Sequence, residues 1–245
     1  MTEQTMKRAP EPGVLALETS TDACSVAVAL ATGVSRRHSI APRQHSQRLF
    51  QLLDELLPDG DLRTHGIEVV AFGAGPGSFT GLRIAASAAQ GLAFSSGLPV
   101  VPVSSLSLLA QGALRTGAVS ESDTALCVVD ARLNEVYAAA YRFEAGLAEL
   151  CQGPWACAPD ALVLQGDMPF LALGNGCEFL RECSGALRER IVASYPDLLP
   201  DAQDIIPLAR QLLLAGHGQP PAAAAPEYVR DEINWKKLSE QGRPE

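Results

Sequence analysis

The order of apolar and polar residues divides this 245-residue chain into alternating strands and helices. In the first half, apolar runs of strand length predict strands at 14–19, 24–30, 67–72 and 100–103, and a third strand-like run follows the first hairpin at 34–40. Helical periodicity predicts helices over a Leu-rich segment at 46–57, over an Ala-rich segment that follows a glycine-rich turn at 73–81, and over 104–114. This alternation is typical of an α/β fold.

The Ala-rich helix has almost no polar face. At a step of about 100° per residue, only Arg83, Ser87 and Gln90 form a narrow polar edge. The apolar positions around the rest of the helix are Leu82, Ala85, Ala88, Ala89, Leu92 and Ala93. Ser78 stands where a helix N-cap is wanted. One side of the helix can pack on a sheet, and the small residues of the other side would let a second helix approach closely.

The Leu-rich helix is a candidate for that second helix. Its apolar arc spans about 160°, against the stripe of about 100° that is enough for a helix lying on a core. The arc is formed by Leu49, Phe50, Leu52, Leu53, Leu56 and Leu57. We interpret the surplus apolar surface of the two helices as an interface with a partner. The alternative is that both helices are sandwiched within one fold.

Two similar hairpins indicate an internal duplication. The first carries Glu18 near the end of its first strand, and the second carries Asp130 at the corresponding position. The second half is shorter and less regular. Its predicted elements are a hairpin over 124–143, a strand at 170–173, a helix after Gly176 and a last helix near 202–215. The duplication predicts two α/β halves, the second of them truncated, with a cleft between them.

These patterns divide the chain into four parts. We predict a disordered extension at 1–12, an N-terminal domain at 13–115, a smaller C-terminal domain at 123–217 and a C-terminal tail at 218–245.

Composition and charge narrow the classes of function. No apolar run reaches membrane length and the N-terminus lacks the hydrophobic core of a signal peptide, so we expect a cytoplasmic protein that does not contact a membrane. The six cysteines show no Cys-x-x-Cys spacing and the four histidines include no i, i+4 pair, so we expect reduced thiols and no metal site. A net charge of −9 argues against broad contact with nucleic-acid phosphate, so another chain should hold any RNA.

Paired hairpins whose turns face a cleft resemble the actin, sugar-kinase and Hsp70-like (ASKHA) fold, in which such turns hold nucleotide phosphates. The chemistry fits only in part, because a turn that wraps a phosphate usually needs glycine and residues 18–25 contain none. The turn at 73–81 matches neither a Walker loop nor a nucleophile elbow. We therefore predict a degenerate cleft with no catalytic residue, no metal and no cofactor. Its residues are Glu18, Thr19, Ser20 and Asp130.

Several motifs together resemble the bacterial TsaB (YeaZ) family. The resemblance covers nearly the whole chain from about residue 13, and its most specific segment is Gly-Pro-Gly-Ser-Phe-Thr-Gly-Leu-Arg at 75–83. The other matching segments are 15–27, 45–48, 89–93, 129–132, 135–137, 228–230 and 235–237.

The resemblance implies a non-catalytic subunit of the machinery that places a threonylcarbamoyl group on adenosine beside the anticodon of tRNAs. In that family the catalytic paralogue, TsaD, carries a metal-binding histidine pair and binds nucleotide. The TsaB-like chain pairs with TsaD through its first two helices, an ATPase, TsaE, joins the pair, and tRNA is reached only through the complex. The partner-binding residues predicted here are His45, Arg48, Leu49, Leu52, Leu53, Leu56, Arg83, Ala85, Ala88, Ala89 and Leu92.

Other interpretations stay open. Glu18 stands where the family is expected to have Asp, and 147–167 matches weakly. One alternative is an active enzyme of the same fold. An ATP-dependent kinase would need a catalytic carboxylate and phosphate-loop glycines. A metalloprotease-like protein would need a histidine pair and an activating Glu. A homodimer could use the same helical face when the paralogue is absent.

The C-terminal tail combines a proline-bounded linker at 219–226 with apolar anchors among charges. We predict that the tail docks on a partner, with Tyr228 and Trp235 as anchors and Lys236 and Lys237 beside tRNA or an acidic surface. The alternative is that its aromatic residues pack back on their own domain.

Overall fold

The computed structural model describes residues 11–58 and 60–229, and within them two five-stranded sheets form the framework. The first sheet has the order β3-β2-β1-β4-β5, in which β1, β2 and β3 are antiparallel neighbours and β1, β4 and β5 run parallel. Its strands are β1 (Gly13–Glu18), β2 (Ala23–Leu30), β3 (Gly33–Ile40), β4 (Ile67–Gly75) and β5 (Val100–Ser104). All five predicted strands are present, and β4 continues three residues into the predicted glycine-rich turn.

The second sheet repeats the topology of the first. Its order is β8-β7-β6-β9-β10, with an antiparallel meander followed by parallel strands. The strands are β6 (Ala125–Arg132), β7 (Glu135–Glu144), β8 (Leu147–Cys157), β9 (Phe170–Leu173) and β10 (Ile191–Tyr195). The same strand order in both sheets confirms the predicted duplicated ASKHA-like α/β fold.

Five α-helices accompany the sheets in the described residues. They are α1 (His45–Leu56), α2 (Phe79–Ser96), α3 (Ser105–Thr116), α4 (Gly185–Arg188) and α5 (Ala202–Leu214). The helix predicted after Gly176 is instead a 3₁₀ helix, Asn175–Glu182, with α4 as a separate short turn. No bounds were predicted for the edge strands of the second sheet, β8 and β10, in which most side chains are exposed or half-buried.

The helices α3 and α5 each pack against the sheet formed by the other half of the chain. Leu106, Leu109 and Ala110 of α3 lie in the core beneath the second sheet, although α3 directly follows the last strand of the first. Conversely, Ile205 and Ala209 of α5 lie in the core behind the first sheet. The boundary predicted between 115 and 123 therefore separates the two sheets but not the two cores.

Two ion pairs fix the N-terminus of α5. The carboxylate of Asp201 caps the helix by accepting a hydrogen bond from the Gln203 backbone N–H, and it also pairs with Arg36 of β3. Asp204 is 1% exposed and accepts two hydrogen bonds from Arg115 of α3, at 2.7 and 3.1 Å. Burial raises the pKa of Asp204, while the Arg115 guanidinium opposes the shift. These pairs tie α5 to β3 of the first sheet and to α3.

Replacing Arg115 by Met should destabilise the protein by about 3 kcal/mol, because it leaves the buried Asp204 carboxylate without its charged partner. Urea unfolding monitored by circular dichroism measures the loss. Arg181→Met is the matched control. The Arg181 side chain is 73% exposed and its distance to the Glu182 carboxylate is as long as 3.8 Å, so the loss of this pair should cost little stability. Equal stabilities of the two variants would contradict this role for the Asp204 pair.

Candidate functional site

The turn between β4 and α2 lies directly on the turn between β1 and β2. The Ser78 backbone N–H donates to the Ser20 carbonyl at 2.7 Å, and the Thr19 hydroxyl donates to the Gly81 carbonyl at 2.8 Å. The predicted N-cap is confirmed, since the Ser78 side chain accepts a hydrogen bond from the Gly81 N–H.

Glycine is required for this contact. A Cβ added to Gly73 would lie 1.8 Å from Oε2 of Glu18, and one added to Gly81 would lie 1.9 Å from the Thr19 carbonyl oxygen. A Cβ at Gly77 would lie 2.5 Å from the Ser20 carbonyl oxygen. The glycines of this motif thus allow the β4–α2 turn to approach the first hairpin of the same chain closely.

This packing divides the four residues predicted to share a cleft. Glu18 and Thr19 are fully buried under the β4–α2 turn and do not reach the cleft, which corrects their assignment to it. Ser20 and Asp130 do line one cavity, of about 680 Å³, between the β1–β2 and β6–β7 turns. The sequence could not show which of the four residues face the cleft. The pattern places an acidic residue at the end of a strand, but it does not reveal that the β4–α2 turn packs over that strand end.

Glu18 is held in an environment that favours its neutral form. One carboxylate oxygen accepts the Ser20 backbone N–H, and the other has no partner. Burial raises the pKa of Glu18 from 4.5 to about 7, against the opposing effect of the Ser20 hydrogen bonds, and the nearby Asp201 carboxylate adds to the rise. Glu18 is therefore poorly suited to supply a permanent negative charge near neutral pH.

The cleft itself carries mostly negative charge. Asp22, Asp130 and Asp197 lie on its walls, together with Arg132. The Asp130 carboxylate accepts hydrogen bonds from the Arg132 backbone and guanidinium, and the Asp130 N–H donates to Asn175 at 3.2 Å. Three carboxylates against one arginine disfavour a phosphate group at this position.

The helices α1 and α2 lie side by side on the first sheet. The predicted partner-binding residues Leu49, Leu52, Leu53, Ala85 and Ala89 are buried, at most 6% exposed, in the core shared with that sheet. This corrects their assignment to a partner surface. The wide apolar arc of α1 is covered on one side by β2 and β3 and on the other by α2, as the alternative interpretation expected. Leu56 and Leu92 are half-buried against the same core, and Ala88 is 8% exposed.

The polar members of the predicted surface have different surroundings. His45 is the first residue of α1 and is buried, with no hydrogen-bond partner for its Nε2. Arg48 is half-buried and donates to Gln51 at 3.2 Å. Arg83 is exposed, and its guanidinium stacks 3.3 Å from the centre of the Phe79 ring.

A groove of about 440 Å³ remains open between the two helices. Phe50 and Phe79 on its rim are 49% and 56% exposed, and Ile84 and Ala88 lie on its walls. Phe94, at the far end of α2, is 78% exposed. The sequence placed Phe50 in the apolar arc of α1 but did not single out Phe79 or Phe94. The signal was available, because Phe79, Arg83, Ser87, Gln90 and Phe94 recur at the spacing of one helical face.

The described part of the tail returns to α2. The Glu227 N–H donates to the Ala74 carbonyl at 2.8 Å, and the Tyr228 ring lies 6.3 Å from the Phe79 ring. Tyr228 therefore packs on its own chain. Trp235, Lys236 and Lys237 lie outside the described residues.

Within residues 11–58 and 60–229, no helix is both long and apolar enough to cross a membrane. No cluster of three or more His, Cys, Asp or Glu side chains in the same ranges is arranged to hold a metal ion.

Replacing Gly81 by Ala should cost at least about 2 kcal/mol of folding stability, because its methyl group would collide with the Thr19 carbonyl. Gly91→Ala in the same helix is the matched control, since a Cβ there meets nothing within 4 Å. The control should gain up to about 1 kcal/mol from helix propensity. Thermal unfolding of both variants measures the contrast, and a Gly81→Ala protein as stable as the Gly91→Ala protein would disprove the tight contact.

Glu18→Gln should change how stability depends on pH. In the wild type the folded state keeps its proton up to about pH 7 while the unfolded chain releases it near 4.5, so the free energy of unfolding falls as pH rises through that window. The fall amounts to about 3 kcal/mol, and Gln cannot show it. Urea unfolding at pH 5 and pH 8 measures the difference. The exposed Glu189→Gln should keep the wild-type dependence, and the same dependence in Glu18→Gln would show that Glu18 titrates normally.

Comparison with known proteins agrees with the fold and the motifs. The family model described as TsaD, tRNA N6-adenosine threonylcarbamoyltransferase, matches residues 38–236. The tRNA threonylcarbamoyladenosine biosynthesis protein TsaB of Haemophilus influenzae is 34% identical over 92% of this chain and 96% of its own length. TsaB of Escherichia coli is 35% identical over 92% of this chain and 97% of its own.

Solved structures show the same relationship. YeaZ from Pseudomonas aeruginosa superposes with a TM-score of 0.81 and 34% identity, covering 89% of this chain and 99% of YeaZ. Sequence similarity over 92% of the chain and the shared fold lead to one conclusion: the chain belongs to the TsaB (YeaZ) family of tRNA threonylcarbamoyladenosine biosynthesis proteins.

Proposed function

We propose that this protein is a non-catalytic scaffold subunit that pairs with a TsaD-like catalytic paralogue through the groove between α1 and α2. The observation that carries this proposal is the apolar groove, with Phe50 and Phe79 exposed on its rim. Exposed aromatic side chains beside a concavity are typical anchors of protein interfaces. Relatives of this chain are named for the same biosynthetic pathway, and the matching family model is named for the transferase.

The first hairpin supports a non-catalytic role. The glycine-rich segment of the same chain packs closely against its turn, and Glu18 is buried in an environment that favours its neutral form. The carboxylates of Asp22, Asp130 and Asp197 disfavour a bound phosphate in the adjoining cleft. An ATP-dependent kinase or a metalloprotease-like enzyme of the same fold is the alternative, and no arrangement among the described residues favours it.

The partner is expected to present a matching surface. A paralogue with the same fold carries two equivalent helices, so the two chains can associate through one helix pair from each. A TsaE-like ATPase joins this pair in our proposal, and tRNA is bound through the complex, since this chain carries a net charge of −9. When the paralogue is absent, the same apolar groove supports a homodimer.

Ser87→Arg should abolish or strongly weaken the heterodimer. Ser87 is exposed on α2 and lines the groove, so an arginine there folds normally but places a bulky charge in the apolar contact. We expect the dissociation constant with the purified TsaD-like protein to rise at least about tenfold, with a parallel loss of threonylcarbamoylated tRNA. Calorimetric titration and a modification assay measure the two effects.

The choice of position matters for this test. Ala88→Arg and Ala89→Arg would both disturb the core, because Ala88 is 8% exposed and Ala89 is fully buried. Ala186→Arg, on the exposed side of α4, is the matched control and should bind normally. Undiminished association of the Ser87→Arg protein would place the interface elsewhere.

A further inference from the structure

We propose that the C-terminal segment 230–238 folds back on its own chain and occupies an apolar pocket between the two sheets, with Trp235 as its anchor. This inter-sheet pocket is a cavity of about 350 Å³, and the proposed scaffold role leaves it without an occupant. Side chains of β5 and α5 form one wall, and side chains of β7 and β8 form the other. The apolar lining includes Pro102, Val103, Leu150, Pro154, Leu208 and Leu212.

The inter-sheet pocket leaves apolar surface uncovered. Leu150 of β8 is 51% exposed on one wall, and Leu212 of α5 is half-buried on the other. Val103 and Tyr141 lie deeper and are each 3% exposed. Covering such a concave apolar surface with an apolar side chain removes it from water and is favourable. The pocket therefore fits an apolar side chain better than a polar or charged ligand.

The described part of the tail runs along the mouth of this pocket. Glu227 and Val229 both line the pocket, and the Glu227 N–H donates to the Ala74 carbonyl at 2.8 Å. The ring of Tyr228, between them in sequence, instead lies 6.3 Å from the Phe79 ring. Alternate side chains thus face the pocket, as they do in an extended strand.

The same alternation reaches the apolar residues that follow in the sequence. Ile233 and Trp235 follow Val229 by four and six residues, an even number in each case. In an extended chain they share the face of Val229, and up to about 20 Å of chain can lie between Val229 and Trp235. The tail is therefore long enough, and in the right phase, to bring both side chains to the pocket.

Charge at the margin of the pocket agrees with this path. The amide of the lining residue Gln211 lies 3.5 Å from the Glu149 carboxylate, and Glu227 itself is exposed at the mouth. Lys236 and Lys237 directly follow Trp235, so a tail anchored by the indole brings positive charge to an acidic margin.

The walls of the pocket come from both halves of the molecule, so its occupation would tie the two sheets together. A buried tryptophan removes about 150–250 Å² of surface from water, more than the smaller apolar residues of the tail can. Trp235 should therefore supply most of the stability gained by docking, and the fold should lose stability when the indole is removed.

A double-mutant cycle on the full chain tests the site. Trp235→Ala should lower the melting temperature by at least about 4 °C, because the indole loses its burial. Leu150→Lys places a charge on the pocket wall at an exposed position, so Trp235→Ala should cause little further loss in that background. Val192→Lys, at an exposed position of the edge strand β10 outside the pocket, is the matched control. In its background Trp235→Ala should keep its full effect.

Fluorescence of Trp235 gives an independent measurement. The chain contains two tryptophans, so Trp235 is the only one in a Trp155→Phe protein. Its emission should lie at shorter wavelength than that of an indole in water and should be protected from quenching by acrylamide. Leu150→Lys should shift the emission towards the red and remove the protection, whereas Val192→Lys should change neither.

Three results would overturn the proposal. An unchanged melting temperature in Trp235→Ala, with the emission of an indole in water, would leave the tail free for a partner. Equal losses from Trp235→Ala in the Leu150→Lys and Val192→Lys backgrounds would place the indole elsewhere on the chain. A blue shift that appears only as the protein concentration rises would assign the contact to a second copy. The measurements contain no partner protein, so they do not depend on the proposed scaffold function.

Discussion

The close approach of the β4–α2 turn to the β1–β2 turn is the contact on which the rest of the molecule depends. It is possible only because glycine at positions 73, 77 and 81 leaves room for Glu18 and for the carbonyls of Ser20 and Thr19. The contact sets where α2 begins, through the Ser78 cap, and thereby places α2 beside α1 on the first sheet. It also buries Glu18 and leaves Ser20 on the cleft wall. One packing requirement thus determines both the groove and the cleft.

The two surfaces share a structural wall. Phe79 stands at the start of α2, with the groove on one side and the cleft on the other, and its ring also supports Arg83 and Tyr228. The tail therefore reaches the point where the two surfaces meet. Because the Phe79 ring lines both surfaces, a ligand or partner that moves it changes the shape of both.

Periodicity predicted most of the first half of the chain, and duplication predicted the topology of the second. The strands β1, β2 and β4 of the first sheet are almost entirely buried, and their apolar runs are therefore plain in the sequence. The edge strands β8 and β10 carry no such signal because solvent covers much of both. Periodicity also misassigned Leu49, Leu52 and Leu53. It measures how wide an apolar face is, but it cannot tell whether a partner or the chain's own helix covers that face.

The candidate sites were less predictable than the fold for a related reason. Burial depends on contacts between residues far apart in sequence, such as Glu18 with Gly73 or Asp204 with Arg115. The sequence pattern predicted an acidic residue at position 18, near the end of the first strand, but not that the β4–α2 turn buries it. It recorded the apolar arc of α1 but not that Phe50 alone of the arc is largely exposed while the leucines are buried or half-buried.

The crossing of α5 to the first sheet has a consequence for synthesis on the ribosome. The last strand of the first sheet ends at Ser104, yet the helix that covers its rear face begins only at Ala202. Chains emerge from the N-terminus and domains generally fold as units. Here the rear face of the first sheet stays open, with Val14, Ala16 and Val69 uncovered, until nearly the whole chain has been translated. Such a nascent chain presents an apolar sheet surface for most of its synthesis, which makes it a natural client for chaperones that bind emerging polypeptides.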